Sequence, residues 1–101
     1  MQHIGLHLED EKGNLIERSK INFGDIINSL DEKSKSLYPW LWSIDPYGHT
    51  TFNLYQIPHV ITELKQLSLE LKNEELKLLI NEATEFIAKT EQHIYTKLIG
   101  D

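Results

Sequence analysis

The sequence predicts an α+β fold: a small antiparallel sheet, formed by an N-terminal hairpin and a strand near 38–44, packed against two long antiparallel C-terminal helices. Three patterns predict it. The opening residues alternate, with Ile4, Leu6 and Leu8 on one side and His3, Gly5 and His7 on the other, the period of a half-buried strand. Further on, Ile57, Val60, Ile61, Leu64, Leu67 and Leu71 recur at intervals of three and four, as the buried stripe of a helix does. A second such stripe runs through Leu76, Leu79, Ile80, Ala83, Phe86, Ile87 and Ile94.

Taken in order, residues 2–19 read as a β-hairpin, because Lys12-Gly13-Asn14 supplies turn chemistry between the alternating run and Leu15-Ile16. Phe23, Ile26, Ile27 and Leu30 have helical spacing over barely two turns, which predicts one short helix near 24–30. A polar loop, "DEKSKS", follows it. "LYPWLWSI" is aromatic, apolar and bounded by polar residues, and so reads as a buried strand that Pro39 confines to an edge or to its first residues. Alternation along that strand would put Trp40 and Trp42 on one face. Asp45-Pro46-Tyr47-Gly48 matches a type I turn, and Thr50 and Thr51 suit a brief extended segment. Asn53 and Gln56 resemble a capping box ahead of a helix over 57–72, with Pro58 in its first turn. Asn73 offers a side-chain cap for the last helix, Glu74 and Glu75 suit its positive first turn, and Gly100 is expected to end it.

Composition narrows the function. A chain of 101 residues is expected to form a single domain, 1–101, burying about 65% of its unfolded surface. Cysteine is absent, so disulfide frameworks, thiolate zinc sites and cysteine nucleophiles are excluded. No apolar run reaches the ~18 residues of a spanning helix, and "MQHIGLHLED" lacks the basic-then-apolar pattern of a secretory signal. A cytoplasmic protein that makes no membrane contact is the expectation. Sixteen acidic against ten basic residues give a formal charge of −6, a field that repels phosphate backbones and favours encounter with a basic protein.

The stretch "SIDPYGHTTFN" is the densest in polar chemistry. Asp45, His49 and His59 are the residue types of a small hydrolytic or metal site, yet no nucleophile elbow, H-E-x-x-H motif or phosphate-cradling glycine loop accompanies them. His3 and His7 share a strand face about 13 Å apart, too far for one tetrahedral ion. Neither a metal nor a cofactor is expected. The pairs Glu74/Glu75 and Glu82/Glu85 are explained by capping and solvation. The turn reading accounts for Asp45 and leaves Tyr47 and His49 free to face a partner. Acidic residues gather at the hairpin tip, Glu9-Asp10-Glu11, and after the short helix, Asp31-Glu32, while Trp42 has the character of an interface anchor.

The hairpin "LEDEKGNLIER", with "WSIDPYGHTTFN" and "QIPHVITELKQL" after a variable middle, resembles small acidic bacterial proteins of the immunity type. Some of these serve as partners to secreted polymorphic or contact-dependent growth-inhibition toxins. The resemblance spans residues 6–67 loosely, its distinctive core is I-D-P-Y-G…T…F-N, and His49 stands where an acid would be expected. It implies a non-enzymatic, cytoplasmic binding protein, a monomer or weak dimer, that covers the active site of a cognate basic toxin such as a nuclease. The expected partner-binding residues are Glu9, Asp10, Glu11, Asp31, Glu32, Trp42, Tyr47 and His49. The competing readings are a small enzyme using Asp45, His49 and His59, and a regulatory or dimerising module.

Overall fold

The computed structural model describes residues 3–100. Four strands and four helices follow one another along the chain: β1 (Ile4–Asp10), β2 (Leu15–Arg18), α1 (Gly24–Asn28), α2 (Pro39–Trp42), β3 (His49–Phe52), α3 (Ile57–Glu70), α4 (Glu74–Ile87) and β4 (Ile94–Gly100). The strands form one antiparallel sheet in the order β2-β1-β4-β3. Its inner face carries Ile4, Leu6 and Leu8 from β1, Thr96 and Leu98 from β4, and Phe52 from β3, all buried. The helices cover that face, adding Ile26, Leu41, Val60, Leu64, Leu67, Ile80, Ala83, Phe86 and Ile87 to a single core.

The α+β architecture is the one expected, and several of its joints follow the local rules that predict it. The hairpin turn closes where Gly13 adopts a left-handed conformation, φ 85°, and the Asp10 carboxylate accepts from the amides of Lys12 and Asn14, both at 2.9 Å. Asn22 Oδ1 accepts from Ile4 N and Gly24 N, tying the start of β1 to the start of α1. Asn53 and Gln56 form the reciprocal box: Gln56 Oε1 accepts from Asn53 N at 2.9 Å and Asn53 Oδ1 from Gln56 N at 3.0 Å. Asn73 caps α4 by accepting from Leu76 N at 3.1 Å.

Two expected elements are different. The segment near 38–44 is not a strand but a single helical turn, α2. Pro39 occupies its first position, where a fixed φ and a missing N–H cost nothing. The amides of Trp40 and Leu41, which a helix start leaves without partners, donate to the two carboxylate oxygens of Glu63 on α3, at 3.1 and 2.9 Å. Glu63 is itself buried, so this charged cap lies inside the protein. Tyr38, just before the turn, is buried as well, and its hydroxyl donates to Glu70 Oε2 at 2.5 Å. Burial and then that bond push the Tyr38 pKa up to about 12.

The second difference is the end of the last helix. α4 stops at Ile87, and the chain turns through His93, at φ 67°, into β4. Ile94 therefore starts a strand, and Gly100 ends that strand and not a helix. The cause is tertiary: β1 needs a partner longer than the four residues of β2, and β4 supplies seven paired residues, from Ile4↔Gly100 to Asp10↔Ile94.

The buried cap generates a test. Glu63→Ala removes the acceptor of two amides and is expected to lower stability by about 3 kcal/mol, while Glu63→Gln, which keeps one acceptor, costs less. Urea unfolding of both variants checks the ranking; equal, near-zero costs would remove Glu63 from its place in the fold.

Candidate functional site

The polar corner is assembled by local rules and then docked on β4. Tyr47 N donates to Asp45 Oδ1 and Asp45 N to Thr50 Oγ1, each at 2.9 Å. The turn is fastened to the sheet by Gly100 N, which donates to the Gly48 carbonyl at 2.7 Å. A methyl group on Gly100 would lie 2.2 Å from the Pro46 carbonyl oxygen, so the corner approaches the strand as closely as a backbone without Cβ permits. From this platform Tyr47 projects, 76% exposed, and His49 stands exposed on β3. His59 is elsewhere employed: its ring stacks on Trp40 at 5.1 Å, and Trp40 meets Phe52 edge-on at 6.1 Å. Among the described residues no hydrogen bond joins Asp45, His49 and His59, and no three His, Asp or Glu side chains gather as a metal site.

α2 also separates the two tryptophans. Two residues along a helix are about 200° apart, so Trp40 and Trp42 do not share the face that a strand would give them. Trp42 lies under the Lys35 ammonium, 5.0 Å from the ring centroid, with its Nε1 shielded from solvent and without a hydrogen-bond partner.

The expected acidic residues do not form one patch. Glu9 sits on the outer face of the sheet, its side chain only 14% exposed, beside Lys97 Nζ at 3.6 Å and His7 Nδ1 at 3.9 Å. Asp10 is committed to the hairpin turn, and its bonds from Asn14 hold its carboxyl below the usual aspartate pKa. Of the three, Glu11 projects, and it meets His93 Nδ1 at 2.7 Å. Asp31 caps a 3₁₀ turn, Glu32–Ser34, by accepting from Lys33 N. Glu32 is exposed, with Lys35 Nζ 3.9 Å away.

No family model, curated protein or solved structure matches this chain. The geometry itself has to point to a functional surface.

The most distinctive surface is on α4. At about 100° per residue, Glu74, Glu75, Glu82 and Glu85 all fall within roughly 60° of Leu78, directly opposite the buried stripe. Leu78 is 62% exposed, and all four acids are exposed and form no ion pair among the described residues. Each pair taken alone reads as capping or solvation, and their common centre appears only when the helical period is applied across the exposed positions.

The uncovered face of the sheet is the other polar surface. One row across it reads Arg18, His7, Lys97, Thr51. Burial and then the Arg18 charge hold the His7 pKa below 6.5, and its Nδ1 has no hydrogen-bond partner.

Two outcomes are expected. Asp45→Ala should lower stability by about 1 kcal/mol through the lost bond from Tyr47 N to the carboxylate, whereas Tyr47→Ala should leave the thermal midpoint nearly unchanged; the reverse ranking would take Asp45 out of the turn's framework. His7 gives a pH dependence whose sign is fixed. The unfolded chain binds a proton near pH 6.5 and the folded protein only below that, so His7 lowers stability as pH falls through 6.5 and has no effect above it. His7→Gln should flatten that part of the stability curve in urea unfolding between pH 7.5 and 5.

Proposed function

We propose that this chain is a non-catalytic binding protein that captures a basic protein partner, and that the partner is a toxin neutralised by occlusion of its active site. The observation that carries this reading is the α4 face, where an exposed Leu78 is flanked by four carboxylates, none of them in an ion pair among the described residues. Unpaired carboxylates on a chain of charge −6 steer a cationic surface toward them and accelerate encounter. An apolar side chain at their centre supplies what charge alone does not, a desolvated contact that slows departure. Tyr47, exposed on its corner, offers a second, aromatic contact. A nuclease is an apt cognate, because its active site is already shaped for anionic groups. The immunity-type resemblance leads to the same class of partner and to the cytoplasm, where such a partner would have to be met.

In this reading recognition lies on α4 and not on the hairpin tip. Reversing Glu9 or Asp10 would disturb an ion pair or the turn itself, and so would confuse folding with binding. Reversing Glu82 and Glu85 to lysine leaves the buried stripe intact. The double reversal should slow association with the cognate toxin by on the order of tenfold at low ionic strength, weaken protection of cells, and leave the thermal midpoint within a few degrees. Stopped-flow association across a salt series measures the rate. Salt-independent association, together with full protection by the double variant, would reject the acidic face as the docking surface. Loss of protection on His49→Ala or His59→Ala with folding intact would favour an enzymatic role.

A further inference from the structure

A cleft of about 560 Å³ opens at the end of the sheet, between the turn that follows β3 and the turn that joins α4 to β4. Tyr55 and Gln92 reach it from opposite sides, together with Glu91, His93 and Tyr95. Three observations bear on what it holds. Tyr55 is 77% exposed, and its ring touches neither Tyr95 nor any other aromatic ring among the described residues. Glu91 is exposed, and among the described residues it has no ion pair and no lysine or arginine lines the cleft. His93, which lines the cleft, meets the Glu11 carboxylate through Nδ1 at 2.7 Å.

The geometry points to a binding site for an arginine side chain presented by a partner protein. A planar guanidinium stacks on a tyrosine face and donates to a carboxylate at its edge, whereas an anion would meet Glu91, and a purely apolar group would leave Glu91 desolvated without a partner. The cleft is large enough for the whole side chain. It is separate from the α4 face, and it rests on the proposed function only in taking the partner to be basic. An arginine held here would give the encounter that α4 steers a fixed point of attachment.

The test uses the full chain and a capped Gly-Arg-Gly peptide, with the citrulline peptide, which has the same shape without charge, as control. Amide chemical shifts are followed by NMR. The arginine peptide should shift residues 53–55 and 90–95 saturably, and the citrulline peptide should shift them weakly or not at all. Glu91→Gln and Tyr55→Leu should each weaken binding by about two- to fivefold with the fold intact, while Glu82→Gln should not. Equal binding of the two peptides, shifts centred away from the cleft, or unaltered affinity in both cleft variants would overturn the proposal. Binding of the peptide in the cleft alongside salt-independent toxin association would reject the α4 face alone; steered association with no shift in the cleft would reject the cleft alone.

Discussion

The pairing of β1 with β4 is the constraint from which the rest of the structure follows. β1 carries three buried side chains, but its hairpin partner β2 is four residues long and exposed throughout. A two-stranded hairpin of that size is marginal in water, and it cannot present a continuous apolar face to a pair of helices. β2 pairs only His7, Leu8 and Glu9 of β1, whereas β4 pairs the whole strand and supplies Thr96 and Leu98 to the same inner rows. It also gives β3 a strand to lie beside and the Asp45 corner a backbone to rest on. Since nearly the whole described chain separates the two paired strands, local structure alone does not complete this sheet; its central pairing is non-local.

What was legible in the sequence is what depends on neighbours a few residues away. The alternation of β1, the Asn53–Gln56 box and the Asn73 cap each involve partners within four residues, and each is present. α2 was not legible, because the group that satisfies its first amides, Glu63, lies 22 and 23 residues further along the chain. In its absence an aromatic, apolar run reads as a strand. β4 was hidden by arithmetic: Ile94 falls seven residues after Ile87, a spacing that continues a helical stripe. The competing signal was the β-branched and aromatic run "IYTKLIG", with Thr96 and Leu98 alternating, preceded by the polar stretch from Lys89 to His93.

The acidic surface shows the same division. In sequence, Glu9-Asp10-Glu11 is the most concentrated acidic run, yet contiguity along a strand and turn sends neighbouring side chains in different directions. One packs beside Lys97, one ties the turn, and one reaches His93. The four glutamates of α4 are spread over twelve residues and converge because a helix returns to the same side every three or four positions. A count of charges therefore gives the sign of the protein's net charge but not where its carboxylates converge.

Both edges of the sheet are short. β2 and β3 offer four residues each, while the two seven-residue strands are enclosed between them. β2 is further broken by a bulge where its register against β1 shifts between Leu8 and Glu9. An unrelated extended chain arriving at either side would find few backbone groups to zip onto, so the molecule is a poor template for strand addition and for stacking into fibrils. Surface substitutions on the side chains can therefore change what the molecule presents to its surroundings without disturbing the backbone ladder that holds the fold.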